Sequence, residues 1–125
     1  MSYESHKKEQ LYRLLVEKRK QCHLFAGLTN LADEGYRQFD SAHIGPWSLW
    51  QGNLDADLMV VGQDWGDTSY FMKWQGRDQP HGNPTNENLQ RLLEQINIHI
   101  KRPKEAQDQI VFLTNLILCL KQGGL

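Results

Sequence analysis

The stretch that most restricts what this chain can fold into is Leu58-Met59-Val60-Val61, an apolar run that stops abruptly at Gly62-Gln63-Asp64-Trp65-Gly66-Asp67. A short apolar run bounded by turn residues reads as a strand buried on both faces, the situation of a parallel sheet. In an open α/β sheet, ligands gather in the crevice beyond the carboxyl ends of such strands, which is where Gln63 and Asp64 fall. The same tip also fits an ordinary tight turn, with glycines supplying unusual backbone angles and an Asp bonding its own backbone.

A second apolar run, residues 110–120, is nearly continuous and also predicts a strand buried in mid-sheet. Thr114-Asn115 interrupts it. A buried amide there costs about 1–3 kcal/mol unless its hydrogen bonds are met, so Asn115 is expected to cap the strand end or face a polar ligand. Between the two runs lies the clearest helix of the chain. Asn83-Pro84-Thr85-Asn86 supplies cap residues, and Leu89, Leu92, Leu93 and Ile96 follow the i, i+3, i+4, i+7 rule. Strand, helix and strand in this order imply parallel pairing, right-handed crossovers and helices on both faces, a three-layer αβα arrangement.

The remaining segments are more loosely written. Residues 4–25 have a helical period, with Leu11, Leu14, Leu15, Cys22 and Phe25 on one stripe. Lys7, Lys8, Lys18, Arg19 and Lys20 lie largely off it and read as a solvated face in preference to a phosphate-contacting patch. Residues 47–53 alternate and end in Gly-Asn, as a short strand and turn would. Residues 68–84 are irregular and aromatic, a connection long enough to be functional or mobile. Residues 101–108 form a polar connector broken at Pro103.

With 125 residues the chain makes one domain, residues 1–125, and its four Trp, four Tyr and four Phe suit a globular core. A formal charge of −1 gives no global pull toward nucleic acid, so any such binding must use a local patch. Cys22 and Cys119 lie far apart, with no Cys-x-x-Cys and no secretory leader, the usage of a reducing cytoplasm. No apolar stretch is long enough to span a bilayer.

These residues resemble the uracil-DNA glycosylase superfamily. Residues 55–66 look like its first motif, a strand followed by Gly-Gln-Asp-Pro or Gly-Glu-Ala-Pro-Gly, and Val111-Phe112-Leu113-Thr114-Asn115 is similar to its central strand, which ends in Asn. The likeness runs from about Cys22 onward and covers the front part of that family's domain, an incomplete copy of the fold. It implies base-excision repair of DNA containing uracil or a damaged base, by hydrolysis of the N-glycosidic bond of a flipped nucleotide. Asp64 then matches the carboxylate that positions and activates water. Gln63, with Gly62, contacts the uracil, and Asn115 reads its edge with one donor and one acceptor. The stacking aromatic is to be sought among Phe71, Tyr70 and Trp74, and Trp65 stands in the motif where the family carries Pro.

The family's closing His-Pro-Ser-type loop has no counterpart among these residues, so the resemblance implies a weak glycosylase or an inactive one. The family's iron–sulfur branch uses four cysteines. Cys22 and Cys119 fall near two of those places but Arg19 occupies a third, so no cofactor is expected and two buried thiols are. Two other readings carry their own expectations. One is a non-catalytic module that binds a nucleobase, nucleic acid or protein, including a homodimer formed through the exposed sheet edge at residues 110–120. The other is a small hydrolase acting on a free nucleoside.

Overall fold

The computed structural model describes residues 2–45, 54–77, 79, 82–100 and 110–123. The chain opens with helix α1 (Tyr3–Gln21), followed by strand β1 (Leu28–Thr29) and a 3₁₀ turn at Arg37–Phe39. Strand β2 (Leu58–Gly62) leads to helices α2 (Thr68–Lys73) and α3 (Pro84–Glu94), and then to strands β3 (Val111–Asn115) and β4 (Leu120–Lys121). β2 and β3 pair in parallel, from Leu58 opposite Val111 to Gly62 opposite Asn115. β1 and β4 pair antiparallel. The fold is therefore mixed α/β with both strand orientations, where the sequence predicts parallel pairing alone.

The helix ends obey their capping residues. The Ser2 hydroxyl accepts from the Ser5 N–H at the start of α1, and Asp67 accepts from the Tyr70 N–H at 2.7 Å to start α2. Asn83 Oδ1 accepts from the N–H groups of Thr85 and Asn86, with Pro84 in the first turn of α3, where its missing N–H costs nothing. The carboxyl end of α1 is closed from outside. The buried Asn30 donates Nδ2 to the carbonyls of Arg19 (2.7 Å) and Cys22 (2.8 Å), and its Oδ1 accepts from the Ala32 N–H. Such end carbonyls otherwise have no partner within the helix.

α1 docks by a different stripe from the one its leucines suggest. Val16 and Arg19 are buried, while Leu11, Leu14, Leu15 and Phe25 are exposed. Tyr12 meets Phe112 of β3 edge-on, with ring centroids 6.2 Å apart, and its hydroxyl accepts from the Ile44 N–H. Arg19, read from the sequence as part of a solvated face, turns inward. Its guanidinium lies 2.9 Å from Asp40 and donates to the carbonyls of Ser41 and His43. A charge is buried there because a carboxylate and two carbonyls receive it.

Three further expectations change. The apolar run at 110–120 is not one strand: β3 ends at Asn115, where the Leu116 and Ile117 N–H groups bond the Gly62 and Gln63 carbonyls, and β4 then pairs with β1. β2 is not covered on both faces, since Met59 (61 %) and Val61 (53 %) stand in solvent. The segment after Asp67 is not wholly irregular, because the Asp67 cap lets Thr68–Lys73 coil into α2. The expected strand at 47–53 and the connector at 101–108 lie outside the described residues. The main core is Leu31, Trp65, Phe71 and Leu120, flanked by Tyr36, Phe39 and Leu118. Its members come from the segment after β1, the loop after β2, α2 and β4.

Candidate functional site

Parallel pairing brings the carboxyl ends of β2 and β3 side by side, so the loops leaving Gly62 and Asn115 share one end of the sheet. At that end the backbone of Gly62 and the side chain of Asn115 touch. A Cβ built on Gly62 would fall onto Asn115 Oδ1, so glycine is what lets the amide lie across the strand. Two residues on, Asp64 closes a tight turn. Its Oδ1 accepts from the Gly66 N–H at 2.9 Å, and Gly66 adopts φ +97°, a backbone region that favours glycine.

The second carboxylate oxygen of Asp64 accepts from Gln63 Nε2 at 3.2 Å and lies 3.3 Å from Lys121 Nζ. The Asp64 side chain is one-tenth exposed, whereas that of Lys121 is 42 % exposed and reaches in from the rim. Lys121 is held by β4: its N–H donates to the Gly66 carbonyl at 3.1 Å, and Asp67 forms a parallel bridge with it. The end of the described chain is strapped down next to it, where the Gly123 N–H donates to Thr68 Oγ1 at 2.7 Å.

Two clefts meet at Asp64. The inner one, ≈ 150 Å³, has apolar walls from Val60, Leu89, Ile100 and Leu113, and polar groups from Asp64, Asn86 and Asn115. A cavity of about this size holds a benzene-sized ring. The outer one, ≈ 260 Å³, is lined by Asp64, Gly66, Tyr70, Asn83, Thr85 and Asn86. Trp65, Thr85 and Asn86 border both. An aromatic ring in the inner cleft and a polar substituent in the outer one would thus both border the Asp64 carboxylate.

Of the residues the sequence singles out, Gly62, Asp64 and Asn115 line the inner cleft, and Gln63 acts on it through its bond to Asp64. The aromatics divide. Tyr70 lines the outer cleft and its hydroxyl accepts from Asn83 Nδ2, with Trp74 tilted against its ring at 6.4 Å and Lys73 Nζ over the Trp74 ring. Phe71 turns away into the core, 3 % exposed, so it is not placed to stack on a ligand. Trp65 is a core residue whose buried indole also borders the clefts; Gly45 packs flat against it. Lys121, Thr85 and Asn86 are the site residues that the sequence reading passes over. The Asn83–Asn86 cap signal, which marks the start of α3, picks out two of them as polar residues at a helix end. Nothing local marks Lys121.

A larger groove, ≈ 550 Å³, runs between the end of α1 and the segment after β3, with walls from Leu15, Cys22, Phe25, Ile117 and Cys119. Among the described residues that line it there is no carboxylate. Both cysteines are free, and burial pushes the Cys119 thiol up, which keeps it protonated and a poor nucleophile or metal ligand. Among the described residues, no three His, Cys, Asp or Glu side chains are grouped to hold a metal ion, and no helix is long and apolar enough to cross a membrane. No family model matches the chain, and neither the curated proteins nor the solved structures include a match to it.

Proposed function

We propose that the chain is a uracil-DNA glycosylase-like domain acting in base-excision repair, with the inner cleft taking a flipped uracil or related base. The observation that carries this reading is the register of β2 and β3. It sets Gly62 against the Asn115 amide, with Asp64 two residues away on the wall of one ring-sized cleft. Tyr12 and Phe112 meet on one face of β3, and Leu113, the next residue, lines the cleft beside α3. Successive strand residues face opposite sides, so these two contacts lie on opposite faces of β3, which supports reading the fold as a three-layer αβα arrangement.

In this reading Asn115 presents a donor and an acceptor to the base edge. The C1′–N1 bond breaks with its electron pair leaving on the base, and the sugar carries the developing positive charge. The Asp64 carboxylate, shielded from solvent on most of its surface, stabilises that charge and orients the water that adds to C1′. A water proton passes to the carboxylate and then to solvent or to the departing base. Gln63 keeps the carboxylate in place through the 3.2 Å bond to Oδ2. Two unpaired cysteines suit a reducing cytoplasm.

Release of free uracil from a uracil-containing oligonucleotide tests the proposal. Asp64→Asn should lower the rate by about 10²–10⁴-fold, the range for a positioned acid–base group. A variant as fast as wild type would remove Asp64 from the mechanism. One observation favours a second reading, a non-catalytic interaction module: Met59, Val61 and Leu116 expose apolar surface along the parallel pair. A dimer through residues 110–120, lost on Leu116→Lys and seen by light scattering, would support that reading.

A further inference from the structure

We propose that Lys121 is a substrate-operated latch on Asp64. In the free protein it occupies the carboxylate, and a phosphodiester of the bound strand draws it off. The inference rests on the glycosylase reading for the role of Asp64 and adds to it a control of that carboxylate by the strand's own phosphate.

A carboxylate offers about four lone-pair positions. In Asp64 the Gly66 N–H takes one on Oδ1, while Gln63 Nε2 and Lys121 Nζ converge on Oδ2. The resting carboxylate has little left to hold a water. The Gly66 N–H bond is part of the turn itself, and the Gln63 amide carries no charge for a phosphate to draw off. The Lys121 contact is different in kind. Its backbone is pinned by β4 and the Gly66 carbonyl, yet its ammonium sits on a four-carbon stem and 42 % of the side chain is in solvent. Lysine is a mobile, hydrated point charge, and an ion pair with one exposed partner is a weak tie.

A strand threaded past the outer cleft would bring phosphates to this rim, and Lys121 can turn outward to one without moving its Cα. Oδ2 is then open to water at the moment a strand is present. A nucleoside brings no phosphate and leaves the latch closed.

Binding of a single-stranded oligonucleotide carrying one 2′-fluoro-2′-deoxyuridine, read by fluorescence anisotropy over a range of salt, tests the latch without turnover. Lys121→Gln should flatten the plot of log Kd against log salt by about 0.7, one phosphate contact on a single strand, and Lys121→Arg should restore it. Asp64→Asn should tighten binding about two- to fivefold when Lys121 is present, the measured range for such pairs, and not at all in the Lys121→Gln background. Equal salt slopes, or an Asp64→Asn effect that is the same in both backgrounds, would overturn the latch. Uracil release by the wild type alongside an uncoupled cycle would leave the glycosylase reading standing without it. A coupled cycle with no uracil released would keep the latch and reject hydrolysis, and absence of binding by every variant would reject both.

Discussion

Replacing Gly62 by Ala should separate stability from function at the site. The backbone there is not left-handed, so alanine adopts it without strain, and Gly62 is an exposed position at the end of β2. Removing glycine from a compatible position stabilises by about 0.4–1 kcal/mol through the unfolded chain. Against this, the new methyl takes the place of Asn115 Oδ1, so the amide must rotate away. The two effects nearly offset, and the urea midpoint should move by no more than about 1 kcal/mol in equivalent free energy. The functional effect should be far larger. A misplacement of about 1 Å in a positioning group costs on the order of 10²-fold in rate, or about 2.7 kcal/mol of barrier. The assay is uracil release by wild type, Gly62→Ala, Asn115→Ala and the double variant, with the Asn115 side-chain amide signals followed by NMR. Gly62→Ala should shift those signals and should add nothing to the defect of Asn115→Ala. Wild-type activity in Gly62→Ala, or a further loss in the double variant, would refute the idea that glycine serves the amide.

Three other outcomes follow from the same geometry. Asp40→Ala leaves the Arg19 guanidinium, with side-chain exposure of 1 %, without its counter-ion, and should cost about 3–5 kcal/mol in chemical denaturation, a large part of the stability of a domain this size. Among the described residues Thr114 Oγ1 is buried without a hydrogen-bond partner, so Thr114→Val should raise the urea midpoint by roughly 1 kcal/mol in equivalent free energy; a fall would mean the hydroxyl is satisfied after all. The Asp33 carboxylate, 2.7 Å from His23 Nε2, holds the imidazole above its ordinary 6.5, with the Gln21 carbonyl adding to it. Its stabilising effect is complete below the unfolded-state value and is lost as pH rises through the folded-state one. NMR titration should place His23 above 6.5 in the wild type and lower it toward that value in Asp33→Asn.

How far the sequence could be read depended on whether the information was local. A parallel pair of strands, the α3 cap at Asn83 and the Asx turn at Asp64 were written in a few consecutive residues and reappear, although the second strand is shorter and the first less covered than their apolar runs suggest. α1 was recognisable as a helix, but its buried face was not. Tyr12, Val16 and Arg19 also recur at i, i+4 and i+7, and a stripe ending in arginine becomes a core stripe only because Asp40 arrives from 21 residues downstream. The break in the run at 110–120 has a similar cause: the carbonyls of Gly62 and Gln63 capture Leu116 and Ile117, a pairing invisible in a continuous apolar string. At the site, Gly62, Asp64 and Asn115 were legible because turn residues ending apolar runs stand out. Phe71 was misleading, since an aromatic near a loop serves a core as readily as a ligand. Lys121 reaches Asp64 through β4, an element of two residues with no pattern of its own.

The register of β2 against β3 also sets an order of events. Its two strands are roughly fifty residues apart in the chain, and closing a loop of that length costs about 3.5 kcal/mol of entropy before any strand bond is returned. α1 and α3 can coil from neighbouring residues, whereas the wall that joins Gly62 to Asn115 exists only once this closure is made. During synthesis on a ribosome, the Asp64 turn emerges well before the amide it faces. The cleft is therefore a late-folding feature, and partly folded forms of the protein should bind nothing there even when their helical signal is complete.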